Sequence, residues 1–353
     1  MAALRPGASR FDDPAGFDDP VGFDDLAGFF DDALGEAFEV FRATALAFRA
    51  GLTPLRAATS PSPALVAAMD DAIAAKAADA KAFFSRAFEP RPARDGFFTG
   101  YYQPVVEASR ERAPGFETPL LGAPLDADGA PWRGPLPERA AIEDGALSRL
   151  SRPVVWLRDA VEAFMIQVQG GALARLADGA LMRLVYAGRN GRAYRSIGRL
   201  LIERGEIAEP DMSLSRLKGW IRAHGQAPDA PGGRLMRENP SYVFFRAEPC
   251  AGLDCGQIGG AGVELTPLRS LAVDRSLYAY GTPVWVDVDL PAAAGGRLRR
   301  LFVAQDVGSA IVGPGRGDIF FGSGDAAGEK AGATRRDGVF VALSPVGERS
   351  RAP

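Results

Sequence analysis

Histidine and cysteine are scarce in this chain of 353 residues. It contains one histidine, His224, and two cysteines, Cys250 and Cys255. A zinc site needs four protein ligands, or three with a water molecule, and the spacing of these three residues does not indicate one. His224 ends a helical pattern, where it is better explained as a cation at the negative end of a helix dipole. If the chain is an enzyme, we therefore expect carboxylates to carry out its chemistry.

A strong net charge and a long apolar run are also absent. The net charge is -3, so the protein has no strong positive potential that would attract nucleic acid, and we expect no nucleic-acid partner. No stretch approaches the roughly 18 consecutive apolar residues of a membrane-spanning helix. No basic segment followed by an apolar one opens the chain, so no signal peptide is predicted. With 47% hydrophobic and 24% charged residues, the chain is predicted to fold as a globular protein.

The two cysteines have the spacing C-x4-C around a turn that contains glycine. A redox-active pair more typically has the spacing C-x-x-C. In an oxidising compartment Cys250 and Cys255 are expected to close a small disulfide loop. The pair is therefore predicted to be structural at most, and it does not fix the compartment.

Residues 1–33 repeat a Phe-Asp-Asp pattern. This acidic, low-complexity composition predicts a disordered lead-in. A calcium site is a weaker interpretation, because the spacing of an EF-hand loop is absent.

Helical patterns cover residues 34–50 and 63–88, and Ser213 is predicted to cap a further helix that runs to His224. Short strands with turn signals dominate after residue 90, among them a predicted strand at 164–168. Many strands, few helices and abundant glycine predict a mainly β fold with flanking helices and barrel-like domains.

Several carboxylates lie in strand ends and glycine-rich turns. Asp274 ends one predicted strand, Asp306 follows another, and Asp318 precedes Ile319 and Phe320. Burial beside these apolar residues raises the pKa of a carboxyl group, which allows Asp318 to act as a general acid near neutral pH. The alternative is that Asp306 and Asp318 are turn residues, a role that aspartate favours beside glycine.

Polar and aromatic side chains are concentrated in three further segments. Tyr186, Arg189 and Arg195 lie in a glycine-containing turn before a predicted helix. Thr99 lies at a strand end, and Gln169 follows an apolar stretch. Such groups suit sugar hydroxyls and carboxylates, although a solvated surface turn explains the arginines and tyrosine equally well.

Seven ordered segments resemble the membrane-bound lytic murein transglycosylase A family, from about residue 97 to residue 343. They are TGYYQPVVEASR (99–110), LPERAAIEDGAL (136–147), FMIQVQG (164–170), YAGRNGRAYRSIG (186–198), NPSYVFFR (239–246), LTPLRSLAVDRSLYAYGTPVWV (265–286) and AQDVGSAIVGPGRGDIF (304–320). One departure is Gly171-Ala172, where the family usually has Ser-Gly.

The resemblance implies a double-psi β-barrel with a smaller β-rich domain inserted and a glycan groove between them. On this basis, residues 34–104 and 241–347 are expected to form the barrel domain with its N-terminal helices, and residues 105–240 the inserted domain. The implied reaction cleaves the β-1,4 bond between N-acetylmuramic acid and N-acetylglucosamine in peptidoglycan and leaves 1,6-anhydromuramic ends. The expected partners are peptidoglycan glycan strands and complexes of cell-wall enzymes. The protein is expected to be a monomer that needs no cofactor or metal. Its expected location is the periplasm or cell envelope, at the outer membrane.

The resemblance also implies roles for individual residues. Asp318 matches the single catalytic acid and base, and Asp306 and Asp274 match two supporting aspartates. The nucleophile is the C6 hydroxyl of the substrate itself. Because it is held close to C1 at a high effective molarity, the reaction needs no second carboxylate. The expected substrate contacts are Thr99, Gln169, Tyr186, Arg189 and Arg195.

Two other functions remain open at this point. An inverting glycoside hydrolase needs a second carboxylate about 6.5–9.5 Å from the acid, a role open to Asp306 or Asp325. A glycan-binding module without catalytic activity would need neither aspartate.

Overall fold

The computed structural model describes residues 22–92, 94–250, 252 and 255–348. It divides into two compact units. The first comprises Met1–Tyr101, Gly259–Gly322 and Ala333–Pro353, as far as these are described. The second comprises the described parts of Tyr102–Ile258 together with Ser323–Gly332. None of the helices in these ranges has the length and apolar character needed to cross a bilayer.

The described chain contains nine α-helices and thirteen strands. The helices are α1 (Leu34–Arg49), α2 (Pro63–Ala74), α3 (Ala80–Ala87), α4 (Arg139–Glu143), α5 (Ala160–Gln169), α6 (Ile197–Glu203), α7 (Leu214–Ala223), α8 (Pro231–Arg237) and α9 (Asp325–Ala333). The strands are β1 (Phe88–Pro90), β2 (Arg94–Gln103), β3 (Val105–Ser109), β4 (Thr118–Leu121), β5 (Pro153–Leu157), β6 (Gly171–Leu176), β7 (Leu181–Arg189), β8 (Val243–Cys250), β9 (Ser270–Val273), β10 (Pro283–Asp289), β11 (Arg297–Val307), β12 (Arg316–Ser323) and β13 (Arg335–Pro345).

A closed six-stranded barrel forms the centre of the first unit. Its strands follow the order β13-β10-β11-β9-β12-β2, and β2 pairs with β13 to close it. Strand β1 extends β13 on one side. Strands β9 and β11 run parallel, with a register shift between Ala304 and Asp306. Such a shift redirects a side chain, and here it does so at one of the candidate site residues.

Three helices, α1, α2 and α3, cover one side of the barrel sheet, and α1 and α3 contact each other through aromatic side chains. Phe38 and Phe41 of α1 pack against Phe83 and Phe84 of α3 at centroid distances from 5.1 to 6.4 Å. The prediction of a helix at 34–50 is confirmed, apart from its last residue. The single helix predicted at 63–88 is wrong, because residues 75–79 separate α2 from α3. The break turns α3 so that both of its phenylalanines reach α1.

The disorder predicted for residues 1–33 is wrong for residues 22–33, and residues 1–21 lie outside the described residues. Two short 3₁₀ turns, Phe23–Asp25 and Phe29–Asp31, hold this segment on the first unit. The Phe29 ring lies 5.3 Å from the Trp285 ring and is buried. The acidic composition predicts disorder, because disordered segments have too little apolar surface to bury. Here the phenylalanines between the aspartates supply that surface.

The same segment is attached by a buried ion pair. Arg269 donates to both carboxylate oxygens of Asp32, at 2.7 and 2.8 Å. The two side chains are 1% and 3% exposed. The backbone amide of Leu301 also donates to Asp32, at 2.8 Å. The planar guanidinium and the amide donate hydrogen bonds to both carboxylate oxygens and balance the negative charge, as a buried charge requires.

The second unit is built on a six-stranded sheet of order β4-β5-β3-β6-β7-β8. Strands β3 and β6 are parallel, and the other neighbouring strands are antiparallel. Helix α5 packs on this sheet through Ala163 and Ile166. Its other side joins α6, α7 and α8 in a separate apolar cluster. Cys250, at the end of β8, forms a disulfide with Cys255.

Residues 164–168 form part of helix α5, so the strand predicted there is wrong. The Asp159 carboxylate caps the helix by accepting a hydrogen bond from the Glu162 amide at 2.8 Å. Gly170 ends it with a φ of 81°. Because α5 is buried on two sides, it is apolar almost all round, and its sequence resembles a strand. By contrast, Ser213 caps α7 as predicted, and His224 is the residue after its last turn.

Candidate active site

Asp318 lies on β12 at the centre of a polar cluster in the first unit. It pairs with Ala272 of β9 across the sheet. The Thr99 hydroxyl of β2 donates a hydrogen bond to its Oδ1 atom. Arg316, two residues earlier on β12, donates to the Thr99 hydroxyl at 2.6 Å. Two of the predicted site residues, Asp318 and Thr99, are therefore in direct contact.

Burial raises the pKa of Asp318 above the ordinary range of a carboxyl group. The charge of Arg316 and the Thr99 hydrogen bond oppose this, and the negative charge of Asp306 adds to it. Ile319 and Phe320, which follow on the strand, are fully buried. This agrees with the environment expected from the sequence, and a carboxyl group with a raised pKa holds a proton that it can donate.

Asp306 is a buried carboxylate held by the backbone. Its Oδ1 atom accepts hydrogen bonds from the amides of Gly260 and Val307, both at 2.8 Å. The guanidinium of Arg56 lies 4.0 Å from the same oxygen. The side chain of Asp306 is therefore fixed in position by the backbone and lies near one guanidinium.

Tyr101 connects the environments of the two aspartates. It lies two residues after Thr99 on β2, so the two side chains share one face of the strand. Its ring lies 5.3 Å from the ring of Phe320. The pKa of its buried phenol is raised well above the usual value, chiefly by desolvation and then by the charges of Asp306 and Asp318. Tyr101 therefore stays neutral beside both carboxyl groups.

Asp274 holds a loop rather than contacting the other two aspartates. Its Oδ1 atom accepts from the amide and the hydroxyl of Ser276, at 2.9 and 2.6 Å. Its Oδ2 atom accepts from the Gly313 amide at 2.7 Å. Burial alone would raise the pKa of Asp274, but these hydrogen bonds and the charge of Arg275 lower it below its usual value. Asp274 thus connects residues 274–276 to the loop between β11 and β12.

We expect Asp274→Asn to destabilise the protein by about 1–3 kcal/mol at pH 7, because charge-assisted hydrogen bonds are lost. A lowered folded-state pKa stabilises the fold above the unfolded pKa, near 4, and the contribution disappears as pH falls through the folded value. The difference in unfolding free energy between the two proteins should therefore shrink below pH 4. Urea unfolding at several pH values measures it. A difference that does not change with pH would contradict this account.

Tyr186, Arg189 and Arg195 all lie in the second unit. Tyr186 and Arg189 are on β7, where the pairing with β8 shifts between Tyr186 and Gly188. Arg195 is more than half exposed and lies 3.8 Å from Glu238. The structure places Tyr186 and Arg189 in β7 rather than in the turn expected from the sequence, and it places Arg195 in the segment between β7 and α6.

Two buried asparagines hold this arginine-rich turn. The Asn190 amide group donates to the carbonyls of Pro137 and Pro240, at 2.9 and 2.8 Å. The carbonyl oxygen of the Asn239 side chain accepts from the Arg195 amide at 3.1 Å. Sequence analysis did not identify either asparagine as a support for the turn. The Asn-Gly and Asn-Pro dipeptides they belong to are the only local signal.

Gln169 is the last residue of α5, also in the second unit. Its side-chain carbonyl accepts a hydrogen bond from the Tyr102 amide at 3.0 Å. Its backbone carbonyl accepts from Gln257 at 2.9 Å.

Two arginines near the aspartates, Arg56 and Arg316, were not predicted from the sequence, and neither was the position of Tyr101 beside both carboxyl groups. Arg316 is two residues from Asp318, so strand alternation alone puts both on one face. Tyr101 has the same relation to Thr99. Arg56 comes from a loop far away in the sequence, and no local pattern identifies it.

Two family models match the chain. The MltA specific insert domain covers residues 97–246, and the 3D domain covers residues 269–344. A membrane-bound lytic murein transglycosylase A from Vibrio cholerae is 34% identical over 261 residues, which are 72% of this chain and 67% of that protein. The chain belongs to the membrane-bound lytic murein transglycosylase A family.

Further relatives of the family agree with this. The Escherichia coli (strain K12) protein of the same name is 38% identical over 240 residues, which are 67% of this chain but 62% of the relative. A lytic murein transglycosylase structure from Agrobacterium tumefaciens has a TM-score of 0.79 at 31% identity and covers 93% of this chain and 97% of that one. An Escherichia coli MltA structure with bound chitohexaose has a TM-score of 0.68 at 30% identity and covers 93% and 92%.

Proposed function

We propose that this chain is a peptidoglycan lytic transglycosylase with Asp318 as its acid and base. The observation that carries the proposal is the position of Asp318 in the polar cluster of the barrel, where Thr99 donates to it and burial raises its pKa. Family membership supports the reaction type, and the chitohexaose bound to an Escherichia coli relative supports a glycan substrate. We assign the barrel to the double-psi class as part of the same proposal.

In the proposed reaction, protonated Asp318 donates its proton to the oxygen that links N-acetylmuramic acid to N-acetylglucosamine. The C1–O bond breaks, and N-acetylglucosamine leaves with the proton. The Asp318 carboxylate then takes the proton of the C6 hydroxyl as O6 bonds to C1 of the same muramic acid. The products are an N-acetylglucosamine end and a 1,6-anhydromuramic end. Asp318 regains its proton, and no water is consumed.

The remaining site residues take supporting roles in this proposal. Asp306, fixed by two backbone amides, supplies negative charge next to the positive charge that develops at C1. Asp274 positions the loop between β11 and β12 through Gly313. We assign substrate contacts in the second unit to Gln169, Tyr186, Arg189 and Arg195, with the arginines directed to carboxylates of the peptidoglycan.

We further propose that the first unit is the catalytic domain and the second unit the substrate-binding insertion. Strand β8 is counted in the insertion, beyond the boundary expected at residue 240, because it pairs with β7 in the second sheet. The proposed place of action is the periplasmic side of the cell envelope, at the outer membrane. There the protein acts as a monomer that associates with other cell-wall enzymes. The support for the location is the membrane-bound description shared by the relatives.

Mass spectrometry of digested sacculi tests the reaction. Purified protein should release muropeptides that carry anhydromuramic ends, one water lighter than hydrolysis products. Ordinary reducing ends would replace the proposal with glycoside hydrolysis. Binding to sacculi with no release of product would instead indicate a glycan-binding module.

A further inference from the structure

The Thr99 hydroxyl lies between a guanidinium and the Asp318 carboxyl group. Arg316 donates to the Thr99 oxygen at 2.6 Å, and Thr99 donates to Asp318 Oδ1. Arg316 is itself held in place, because it donates to the backbone carbonyls of Phe97 and Gly317 and lies over the Phe97 ring, 5.2 Å from its centroid. The three side chains form one chain of hydrogen bonds.

The direction of this chain follows from the chemistry of its ends. A guanidinium has donors and no acceptor, so the Thr99 oxygen must accept from Arg316. Thr99 has one proton of its own, and within the described residues Asp318 Oδ1 is the acceptor that receives it. Asp318 Oδ1 is therefore an acceptor in both protonation states of the carboxyl group.

We propose that Arg316, acting through Thr99, is a positioning residue that fixes Asp318 Oδ2 as the oxygen that gives and takes the proton. A proton on Oδ1 would take away the acceptor of the Thr99 proton, so the acidic proton is favoured on Oδ2. No donor among the described residues is bonded to Oδ2, which leaves this oxygen available to the substrate. The inference rests on the proposed function, since it assigns one oxygen of the proposed acid.

The charged and titratable groups around Asp318 fit this role. Arg316 is on the same strand, Asp306 is on β11, and Tyr101 is on β2. Arg316 and Thr99 favour the ionised carboxyl group, whereas burial and Asp306 favour the protonated one. Removing either Arg316 or Thr99 should therefore hold the proton more firmly on Asp318 and slow its transfer.

The test compares Thr99→Val, Thr99→Ser, Arg316→Met and the double variant Thr99→Val/Arg316→Met. The readout is the pH dependence of anhydromuropeptide release from sacculi. Thr99→Val and Arg316→Met should each lower kcat about 10- to 100-fold, the size of one lost charge-assisted hydrogen bond. The pH above which activity falls should move upward in both. The double variant should resemble the worse single variant, because both changes break the same chain.

Two further variants separate this role from simple loss of structure. Thr99→Ser keeps the hydroxyl and should keep the wild-type pH profile. Arg336→Met removes an exposed arginine of β13 and should change neither kcat nor the profile. Thermal unfolding of each variant reports whether it folds.

Each outcome bears on one proposal. If Thr99→Val or Arg316→Met keeps the wild-type pH profile, or if Thr99→Ser behaves like Thr99→Val, the inference is overturned. Additive losses in the double variant would also overturn it, because Arg316 would then act independently of Thr99. Full activity of Asp318→Asn would instead overturn the proposed function.

Discussion

Asp318→Asn should lower the release of anhydromuropeptides by about 10³-fold, within the range that a general acid usually contributes. The amide has nearly the shape of the carboxyl group but holds no acidic proton at Oδ2 and cannot take one from the C6 hydroxyl. Both halves of the proposed reaction lose their proton carrier. Initial rates on sacculi, measured by liquid chromatography of the products, give the ratio.

The matching variants are Asp306→Asn and Asp325→Asn. Asp306→Asn should lower the rate less than Asp318→Asn, because Asp306 contributes charge and not a proton. Asp325, an exposed residue at the start of α9, should be replaceable with little change in rate, whereas an inverting hydrolase that used it as its base would lose activity. Binding of chitohexaose by Asp318→Asn, measured by calorimetry, shows that the site is intact. Asp318→Asn with wild-type turnover would refute the assignment.

The general architecture could be predicted from the sequence because it depends on repeated local patterns. Short strands, turn residues and abundant glycine predict a mainly β fold with flanking helices, and the closed barrel and second sheet confirm it. Helix α5 could not be predicted in the same way. Two of its sides are buried against apolar clusters. The helix therefore has no continuous polar face that would reveal the period of about 3.6 residues in the sequence.

The local chemistry of Asp318 could also be predicted in part. Its apolar neighbours on β12 predict desolvation, and burial does raise its pKa. What the sequence does not show is the set of partners from other segments. Thr99 precedes Asp318 by 219 residues and still donates to it, and Arg56 approaches Asp306 from a loop 250 residues earlier. Such pairs depend on how the barrel closes, which no local pattern encodes.

The ion pair of Asp32 and Arg269 likewise joins distant segments and could not be predicted from a local pattern. Its loss has the largest effect on stability that we expect. Asp32→Ala should destabilise the protein by about 3–5 kcal/mol, because it leaves the Arg269 guanidinium buried without its carboxylate partner. Of its other partners, Glu36 at 3.0 Å is 60% exposed, and the backbone carbonyls of Leu301 and Ala33 carry no charge. None of them replaces the two bonds that Asp32 accepts. Urea unfolding monitored by tryptophan fluorescence measures the change, since Trp285 lies against the same segment.

The neighbouring residue Asp31 provides the control for this prediction. Asp31 is exposed, so Asp31→Ala makes the same chemical change without uncovering a buried charge and should shift the unfolding free energy by less than about 0.5 kcal/mol. The double variant Asp32→Leu/Arg269→Met removes both charges and should recover part of the loss, because the cost of a broken buried pair comes from the partner that remains. Equal effects of Asp31→Ala and Asp32→Ala would mean that the buried pair of Asp32 and Arg269 adds nothing to the stability of the fold. A large difference would show that a segment with the composition of a disordered leader is part of the fold.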